Sequence, residues 1–435
     1  MNYRELQQFL LDTLPMYHRQ GASAYKKDLG NIRKLCEGLG NPQNNFKAIH
    51  IAGTNGKGSV SHMLSAVLQA NGYRTGLYVS PHYVDFRERI KMDGKCVPKP
   101  WVLQFVEQNR NLIEAIRPSY FEMLVAMAFC YFSDSRVEWA VVETGLGGRL
   151  DSTNILLAPL CIITNISWDH ADILGNTLEA IAAEKAGIIK PGSKVLLGRH
   201  QSETIPVFEQ KVCAEGAALF EAEKLVEGFT FETTQTGLGG IHFRMGDRQV
   251  KLIPELKGLY QAENIRTVLA ASLLLGEHLR VKFSVDRIIH ALENVRQYTR
   301  IAGRWQVLQT QPVVVCESAH NEDGIRYLVR QLGAYPRLQL HIVCGFVRDK
   351  DLTPVLSQLP VQAKYYFVQA KIPRALNAGD LKVLAAPYGL KGTPYRSVRR
   401  GFAQALRNAQ TDDLVVVTGS IFVVGEVLER YDLHA

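Results

Sequence analysis

Residues 48–59 read AIHIAGTNGKGS, so a short run of β-forming apolar residues passes directly into glycines and a lysine. Apolar residues then recur at helical spacing, which indicates a helix after this stretch: Val60, Met63, Leu64, Val67 and Leu68. A strand, a glycine-rich turn and a helix N-terminus together aim backbone N–H groups at an anion. The stretch therefore predicts a phosphate-binding loop in a parallel α/β domain.

The side chains of this loop suit a nucleotide. Lys57 supplies a point charge for the β- and γ-phosphates, and the Ser59 hydroxyl is a ligand for Mg²⁺. The common P-loop pattern is not met in full, because Ala52 stands where its first glycine belongs and Gly58 follows the lysine. A glycine-rich turn without a ligand is the alternative interpretation.

Short apolar runs alternate with helical patterns along most of the chain, which is typical of a parallel sheet with crossover helices. The strands predicted in the first part are Ala48–Ala52, Thr75–Ser80, Val137–Glu143, Leu160–Ile166 and Lys194–Leu197. Alternating residues and glycines at 223–252 predict a short β-meander, and a helix is predicted at Gln261–Leu275.

The alternation restarts after a boundary near Asn294–Gly303. The elements predicted there are strand Pro312–Cys316, helix Asp323–Leu332, and strands Leu338–Gly345, Tyr365–Gln369 and Leu414–Thr418. We therefore expect two α/β domains, one at 1–297 that contains the phosphate loop and a Rossmann-like one at 298–435.

Composition and charge exclude several classes of protein. The 435 residues are 46% hydrophobic and 21% charged, which excludes disordered, collagenous and disulfide-framework chains. The net charge is +8, and residues 298–435 carry 17 basic and 11 acidic side chains, hence +6. This excess suggests an anionic partner. No basic run is interleaved with aromatic residues, so nucleic acid is not expected.

The location is predicted from the cysteines and the apolar runs. Seven cysteines are scattered without C-x-x-C spacing, which is typical of reduced thiols in a cytoplasmic protein. The first ten residues lack the apolar core of a signal peptide, and no apolar run is long enough to span a membrane.

Polar residues follow two of the predicted strands. Glu143 ends one strand ahead of a glycine-rich segment, and Asp169 and His170 follow the next. Parallel sheets bind ligands at the carboxyl ends of their strands. Alone, Glu143 could cap a helix and His170 could hydrogen-bond within a loop. Beside a phosphate loop, they form an oxygen-and-imidazole set that suits Mg²⁺ on a nucleotide.

Lys185 is expected to face inward. The apolar stripe of its helix consists of Leu178, Ile181 and Ala182, and the lysine continues that stripe. A buried unpaired ammonium is costly, so the side chain should be paired, neutral or modified. Pairing with a carboxylate, or an outward-directed ammonium group, is the simpler interpretation.

At this point the chain shows a family resemblance. Residues 53–59 resemble the ATP loop of the Mur ligase superfamily, and the Lys-Gly-Ser ending resembles its folylpolyglutamate synthase and dihydrofolate synthase branch. Further similar motifs extend over roughly residues 25 to 430. The resemblance implies a P-loop NTPase-like Mur ligase domain with a folate pocket at 1–297 and a C-terminal Mur ligase domain at 298–435.

The resemblance also implies roles for individual residues around ATP. The implied metal ligands are Ser59, Ser80, Glu143, His170 and Lys185, the last as a carbamate formed with CO₂ that is able to bind or orient a second Mg²⁺. The implied nucleotide contacts are Asn55, Gly56, Lys57, Gly58, Ser59, Asn264, Arg304 and Glu317, and His320 lies near the γ-phosphate. Lys57, His170, Lys185 and His320 are the expected catalytic residues.

Two of these segments depart from the family pattern. Tyr260 stands where the family usually has a histidine, just before the helix that carries Asn264. Residues 317–321 resemble the family's Asp-x-Ala-His-Asn, but Glu317 replaces the aspartate, which keeps the charge and adds a methylene group.

A pterin pocket is implied by the same resemblance. Its residues are Tyr120, Phe121, Glu122, Met123, Leu150, Asp151 and Ser152, although the helix that begins at Tyr120 is also explained by core packing. The Asp85–Ile90 segment, which follows Ser80-Pro81-His82, is similar to a mobile loop of the family. Its arginines could bind an anionic substrate or be solvated, and the sequence leaves both open.

The implied chemistry is ATP-dependent amide formation. A substrate carboxylate takes the γ-phosphoryl group, and the acyl phosphate accepts the amine of L-glutamate. Dihydropteroate and folates are the implied acceptors, ATP and two Mg²⁺ ions are needed, and the chain is expected to be a monomer without a membrane partner. A peptidoglycan-precursor ligase is less favoured, because residues 1–47 are too few for a nucleotide-sugar domain. A nucleotide switch or an inactive binding relative remains the alternative from another class.

Overall fold

The computed structural model describes residues 2–15, 28–169 and 171–431. Eight strands form the first sheet: β1 (Lys47–Ala52), β2 (Thr75–Tyr78), β3 (Ile90–Met92), β4 (Lys95–Cys96), β5 (Trp139–Glu143), β6 (Leu160–Ile163), β7 (Lys194–Leu197) and β8 (Ala218–Glu221). Their order is β4-β3-β2-β5-β1-β6-β7-β8. The strands from β2 to β8 in this order are parallel, and β3 and β4 continue the sheet antiparallel beyond β2.

Helices connect and cover this sheet. They are α1 (Tyr3–Thr13), α2 (Gly30–Gly38), α3 (Lys57–Ala70), α4 (Lys99–Gln108), α5 (Arg110–Ile116), α6 (Tyr120–Asp134), α7 (Ala171–Leu174), α8 (Leu178–Ala186), α9 (Ile205–Ala214), α10 (Ala222–Leu225), α11 (Gln261–Leu279), α12 (Val285–Glu293) and α13 (Val295–Thr299).

Strand β1 lies inside the sheet, between β5 and β6. Every residue of β1 after Lys47 is buried. One face packs against a hydrophobic cluster that includes α6, and the other packs against a cluster that includes α3 and α11. Helices on both faces explain why the predicted strands are continuous apolar runs.

The predicted meander is confirmed as a separate three-stranded antiparallel sheet. Its strands are β9 (Thr230–Thr234), β10 (Gly237–Met245) and β11 (Arg248–Leu252), with β10 in the centre.

The second part of the chain forms a six-stranded sheet. Its strands are β12 (Gln306–Thr310), β13 (Val313–Cys316), β14 (Leu340–Cys344), β15 (Lys364–Val368), β16 (Gly392–Tyr395) and β17 (Leu414–Thr418), in the order β12-β13-β17-β14-β15-β16. Only β12 is antiparallel to its neighbour. The helices are α14 (Glu322–Ala334), α15 (Thr353–Leu356), α16 (Ala378–Ala385), α17 (Val398–Asn408) and α18 (Ile421–Leu428).

Each of the two large sheets packs in hydrophobic clusters of its own, and the change from one to the other falls between residues 301 and 305. Ile301 packs with the first sheet, and Trp305 packs with the second. The expected fold class, two α/β units of which the first carries a meander, is confirmed, and the division at residues 297 and 298 stays a prediction. In the parts of the chain that the structure describes, no helix has the length and apolar character needed to cross a bilayer.

Candidate active site

The glycines of the phosphate loop are required by close contacts. Gly53 has φ +146° and Gly56 has φ +86°. A Cβ atom at Gly56 would lie 2.4 Å from Oδ1 of Asn264, and one at Gly53 would lie 1.9 Å from Oγ1 of Thr164. Neighbouring side chains therefore press directly on the loop backbone, and only glycine fits there.

Two lysine amines meet at one carbonyl of this loop. Nζ of Lys57 donates to the carbonyl oxygens of Gly53 at 3.0 Å and Thr54 at 3.1 Å. Nζ of Lys185 donates to the same Gly53 oxygen at 2.9 Å. The helix that carries Lys185 is thus tied directly to the phosphate loop.

Lys185 is buried as predicted, with 3% of its surface exposed. Burial first, and repulsion from Lys57 second, lower the pKa of Lys185 to about 7. The neighbouring Glu184 pairs with Arg149 at 2.7 Å. A loop carbonyl therefore satisfies the Lys185 amine, and a large fraction of the amine is neutral near pH 7.

Glu143 lies beside the loop, at the carboxyl end of β5. The backbone N–H of Ser80 donates to its Oε2 at 3.1 Å, and a Cβ atom at Gly58 would lie 3.5 Å from the same oxygen. The side chain is 4% exposed, and burial raises its pKa to about 7, opposed mainly by Lys57. A nearby cation would favour the ionised form.

This donor set fits Mg²⁺ that is shared with a phosphate ligand. Glu143 contributes a carboxylate, and Ser59 and Ser80 contribute hydroxyl groups at the same cleft. Within the described residues, no group of three or more His, Cys, Asp or Glu side chains is arranged to hold a metal. Mg²⁺ usually takes one or two carboxylates together with phosphate oxygens and water, so a protein-only cage is not needed. The expected ligand His170 lies outside the described residues.

Ser59 is buried, and its hydroxyl accepts a hydrogen bond from Nε2 of Gln261 at 3.2 Å. Nδ2 of Asn264 donates to Oε1 of Gln261 at 2.8 Å. The start of α11 therefore packs against the start of α3, which brings Asn264 to the phosphate loop; its role as a nucleotide contact stays a prediction.

The second α/β unit lines the other side of this cleft with Arg304, Glu317 and His320. Oε2 of Glu317 accepts hydrogen bonds from the Trp305 backbone N–H at 2.8 Å and from the hydroxyl of Tyr260 at 2.7 Å. Nε2 of His320 lies 3.6 Å from Oδ2 of Asp169. These residues lie together with the phosphate loop, although they are distant in sequence.

Sequence reasoning missed several residues that join the two units. Tyr83 contacts Oγ of Ser318 at 2.8 Å through its hydroxyl, which also accepts from Nη1 of Arg304 at 2.9 Å. Nζ of Lys350 donates to Oδ1 of Asp169 at 2.8 Å. No local pattern marks these partners, because each contact spans more than a hundred residues of sequence.

A further missed group lies at the end of β7. Nε of Arg199 donates to Glu263 at 2.9 Å, its Nη2 donates to the Tyr327 hydroxyl at 2.7 Å, and that hydroxyl donates to Glu263 at 2.6 Å. All three line the cleft. The position of Arg199, two residues beyond a predicted strand, is the signal that could have identified it.

A second, more apolar pocket adjoins the cleft. It is lined by six of the residues expected at a pterin pocket: Tyr120, Phe121, Glu122, Leu150, Asp151 and Ser152. Met123 lies instead in the hydrophobic core, with none of its surface exposed. The two carboxylates are already engaged, since Glu122 accepts from the Ser119 N–H at 2.6 Å and Asp151 accepts from Gly145 and Leu146 at 2.8 Å.

The arginines of the Asp85–Ile90 loop differ from each other. Arg87 pairs with Asp85 at 3.0 Å. Arg89 is buried, lines the apolar pocket and donates to Nδ1 of His82 at 2.8 Å. Of the two, only Arg89 faces the pocket, and neither is fully solvated.

The cleft and the apolar pocket are continuous. Both are lined by Ser80, Pro81, Gly145, Leu146 and His320. A ligand in the apolar pocket therefore ends close to an anion held by the phosphate loop, which is the arrangement that phosphoryl transfer to a bound carboxylate needs.

Comparison with known proteins identifies the class. The Mur ligase middle domain family matches residues 51–272, and the family described as Mur ligase, glutamate ligase domain matches residues 303–421. The chain therefore belongs to the Mur ligase family, and the resemblance predicted from the loop is confirmed.

Relatives and solved structures narrow the branch. A Bacillus subtilis protein named dihydrofolate synthase/folylpolyglutamate synthase is 30% identical over 425 residues, covering 93% of this chain and 95% of the relative. Mycobacterium tuberculosis folylpolyglutamate synthase complexed with ADP has a TM-score of 0.88 at 28% identity, covering 99% of this chain and 98% of that one. E. coli FolC in complex with DHPP and ADP has a TM-score of 0.84 at 26% identity, with the same coverage.

Proposed function

We propose that this chain is an ATP-dependent ligase that adds L-glutamate to dihydropteroate, to folates, or to both, and releases ADP and phosphate. The names of the relatives support this substrate class. The observation that carries the proposal is the continuity between the phosphate loop and the apolar pocket at Ser80, Pro81 and His320.

In this proposal, the nucleotide lies on the backbone N–H groups of residues 55–59, with Asn264 and Glu317 as further contacts. Lys57 exchanges its two loop carbonyls for the phosphates, which costs little because one set of charge-assisted hydrogen bonds replaces another. Arg304 and His320 approach the phosphates from the second unit.

Ser59, Ser80, Glu143, His170 and Lys185 would hold Mg²⁺, two ions in all, beside the phosphates. When bound, Mg²⁺ supplies positive charge that offsets the charge developing on the transferred phosphoryl group. The raised pKa of Glu143 fits this role, because its carboxyl group lies in a dry site where a cation is needed to ionise it fully.

Lys185 is proposed to act as a carbamate. The neutral amine attacks the carbon of CO₂, an N–C bond forms as one C=O π bond opens onto oxygen, and the nitrogen loses one proton to solvent, so the cation is replaced by an anion. The lowered pKa supplies the neutral amine near pH 7. The burial of Lys185 beside the loop places the new carboxylate within the cleft.

The reaction then has two steps. The substrate carboxylate attacks the γ-phosphorus while the bond to the departing ADP oxygen breaks, and the α-amine of glutamate then displaces phosphate from the acyl carbon. Lys57 and Arg304 offset negative charge in both steps. The contacts between Asp169 and Lys350, and between Tyr83 and Ser318, hold the two units together around the cleft, which protects the acyl phosphate from water.

The apolar pocket would receive the pterin. Phe121 and Tyr120 present aromatic surface there, and the engaged carboxylates of Glu122 and Asp151 shape the pocket wall. Arg374 faces the same pocket from the second unit, and its guanidinium, which pairs with Asp349 at 2.8 Å through Nε, would bind a substrate carboxylate in addition.

We also propose that the protein is a cytoplasmic monomer with two domains, 1–297 and 298–435. All seven cysteines are free thiols, and five of them are buried, which fits a reducing compartment.

A product assay tests the function. The chain is incubated with ATP, L-glutamate and either dihydropteroate or tetrahydrofolate, and the masses of the products are measured by mass spectrometry. One added glutamate per phosphate released is expected, whereas phosphate release without an acceptor would contradict the proposal.

The carbamate has its own test. Intact protein prepared with bicarbonate should carry the mass of one CO₂, which is lost in Lys185→Ala and kept in Lys190→Ala, a control lysine outside the cleft. Full activity of Lys185→Ala without added small carboxylates would contradict this role.

A further inference from the structure

A basic groove lies on the second unit, outside the cleft and the apolar pocket. We call it the α17 groove and define it by Lys371, Arg399, Arg400, Gln404, Arg407 and Arg430. The proposed reaction uses none of these residues, so the groove requires its own explanation.

The charges of the groove are unbalanced. Five cationic side chains face two carboxylates, Glu426 and Glu429. Glu426 accepts a hydrogen bond from the backbone N–H of Lys371 at 2.6 Å, and burial raises the pKa of its carboxyl group. Within the described part of the chain, no ion pair engages the guanidinium groups of Arg399, Arg400 or Arg407. A polyanion would therefore find several unpaired cations along one surface.

The spacing of the arginines favours an extended, repeating ligand. Arg400, Gln404 and Arg407 lie on one face of α17, at positions i, i+4 and i+7. A rise of about 1.5 Å per residue separates Arg400 from Arg407 by roughly 10 Å. An α-linked residue extends about 3.6 Å, and the two additional methylene groups of a γ-linked glutamate lengthen this to roughly 6 Å. The two arginines thus match carboxylates about two γ-glutamyl units apart.

The groove is close to the apolar pocket. Helix α18 borders both, because Ile421 and Phe422 line the pocket and Glu426 lines the groove. Five helical residues correspond to about 7.5 Å. The loop after β15 also borders both, since Arg374 faces the pocket and Lys371 faces the groove. One or two γ-glutamyl units are sufficient to span this distance.

We propose that the α17 groove binds the oligo-γ-glutamate tail of long folate substrates and products. This inference rests on the proposed function, because that reaction lengthens a γ-linked chain of carboxylates. The groove would hold internal γ-glutamyl carboxylates of a long tail while the terminal carboxylate reacts in the cleft, so it favours long-tailed substrates and has no effect on those with a single glutamate.

The test replaces two arginines that have no part in the proposed reaction. Arg400→Gln/Arg407→Gln removes two exposed charges from the groove, and Arg330→Gln/Lys382→Gln removes two exposed charges elsewhere on the same unit. The KM for tetraglutamyl tetrahydrofolate should rise roughly fivefold in the groove variant only, since exposed charge pairs are individually weak. The KM for the monoglutamyl substrate and kcat should stay unchanged. In Arg400→Lys/Arg407→Lys, which keeps both charges, the KM for the tetraglutamyl substrate should return close to the wild-type value.

A binding measurement separates this inference from the function itself. Fluorescein-labelled tetra-γ-glutamate without a pterin is titrated into each variant at low salt and followed by anisotropy. Weaker binding by the groove variant alone supports the groove even if the chain extends no folate. Three results would overturn the inference. The first is equal binding of the tail by all variants, and the second is an equal KM change for both tail lengths. The third is binding of RNA or anionic vesicles that depends on the arginines while binding of the tail does not.

Discussion

The hydroxyl of Tyr260 donates a 2.7 Å hydrogen bond to Oε2 of Glu317, across the interface between the two α/β units. These are the two positions at which the chain departs from the family pattern of histidine and aspartate. Glu317 is longer than aspartate by one methylene group, and Tyr260 carries a hydroxyl group that histidine lacks. Because the two side chains hydrogen-bond each other, the two departures form one altered contact.

This pairing predicts strong coupling between the two positions. Tyr260→His and Glu317→Asp should each raise the KM for ATP about tenfold, because each leaves a buried polar group without its partner at a cost of about 1–3 kcal/mol. The double variant should recover much of the loss. A double-mutant cycle on the KM for ATP and on the free energy of unfolding measures the coupling, and strictly additive losses would show that the contact is incidental.

Glu143→Gln should stabilise the free protein at alkaline pH. Burial raises the pKa of Glu143 to about 7 from an ordinary value near 4.5, so the folded state holds this proton more tightly than the unfolded state does. Stability is therefore lost as the pH rises from about 4.5 to 7, on the order of 3 kcal/mol from this group.

The measurement is urea unfolding of both proteins between pH 5 and 8, without nucleotide. The variant should gain in free energy of unfolding at pH 8 and match the wild-type protein near pH 5, while ligase activity is lost. A variant that is less stable than wild type at pH 8 would show that Glu143 is ionised and well paired in the free protein.

Gly56→Ala should abolish ATP binding and destabilise the fold. A Cβ atom at this position meets both a positive φ and the Asn264 oxygen at 2.4 Å. Gly192→Ala is the matched control, because Gly192 also has a positive φ, +70°, but no atom lies within 4 Å of its added Cβ.

The control should lose about 1–2 kcal/mol from backbone strain alone, and Gly56→Ala should lose more. Equal losses of stability in the two variants, with unchanged ATP affinity, would mean that Asn264 does not press on the loop.

Tyr83→Phe should lower kcat and leave the thermal stability of the protein nearly unchanged. The ring remains packed against Gly303, where a Cβ atom would lie 2.2 Å from the hydroxyl, but Arg304 and Ser318 lose a shared partner. Arg304 is then free to leave the position that we propose for phosphate contact. Steady-state kinetics with saturating ATP, beside thermal unfolding, distinguishes this from a general loss of packing, which would reduce stability and leave kcat unchanged.

Local patterns predicted the elements that repeat a simple period. β7 and β17 have the predicted bounds, and β1 extends the prediction by one residue. β5 begins at Trp139 and not at Val137, and β6 ends at Ile163 and not at Ile166. After β6, the buried residues 164–166 leave the strand, and Thr164 and Asn165 hydrogen-bond the phosphate loop at Asn55. Strand β12 was missed, since its register shifts against β13 and its alternating polar residues are typical of an edge.

The residues of the site also fall into those that local sequence predicts and those that it does not. The loop, Glu143 and the inward-facing Lys185 follow from residues that are close in sequence. Tyr83, Arg199 and Lys350 could not be predicted, because their partners are set by how the two units lie against each other. Met123 was included through its neighbours in sequence, although its side chain is fully buried in the hydrophobic core.

The single oxygen of Gly53 that accepts both lysine amines has a thermodynamic consequence. A nucleotide that draws Lys57 away changes the environment of Lys185, and a carbamate on Lys185 changes the environment of Lys57. Such linkage is reciprocal, so ATP should alter the affinity of the protein for CO₂ by the same factor by which CO₂ alters its affinity for ATP. In the proposed mechanism, bicarbonate would therefore act through this one backbone oxygen as an effector of nucleotide binding, which nucleotide titrations with and without bicarbonate would measure.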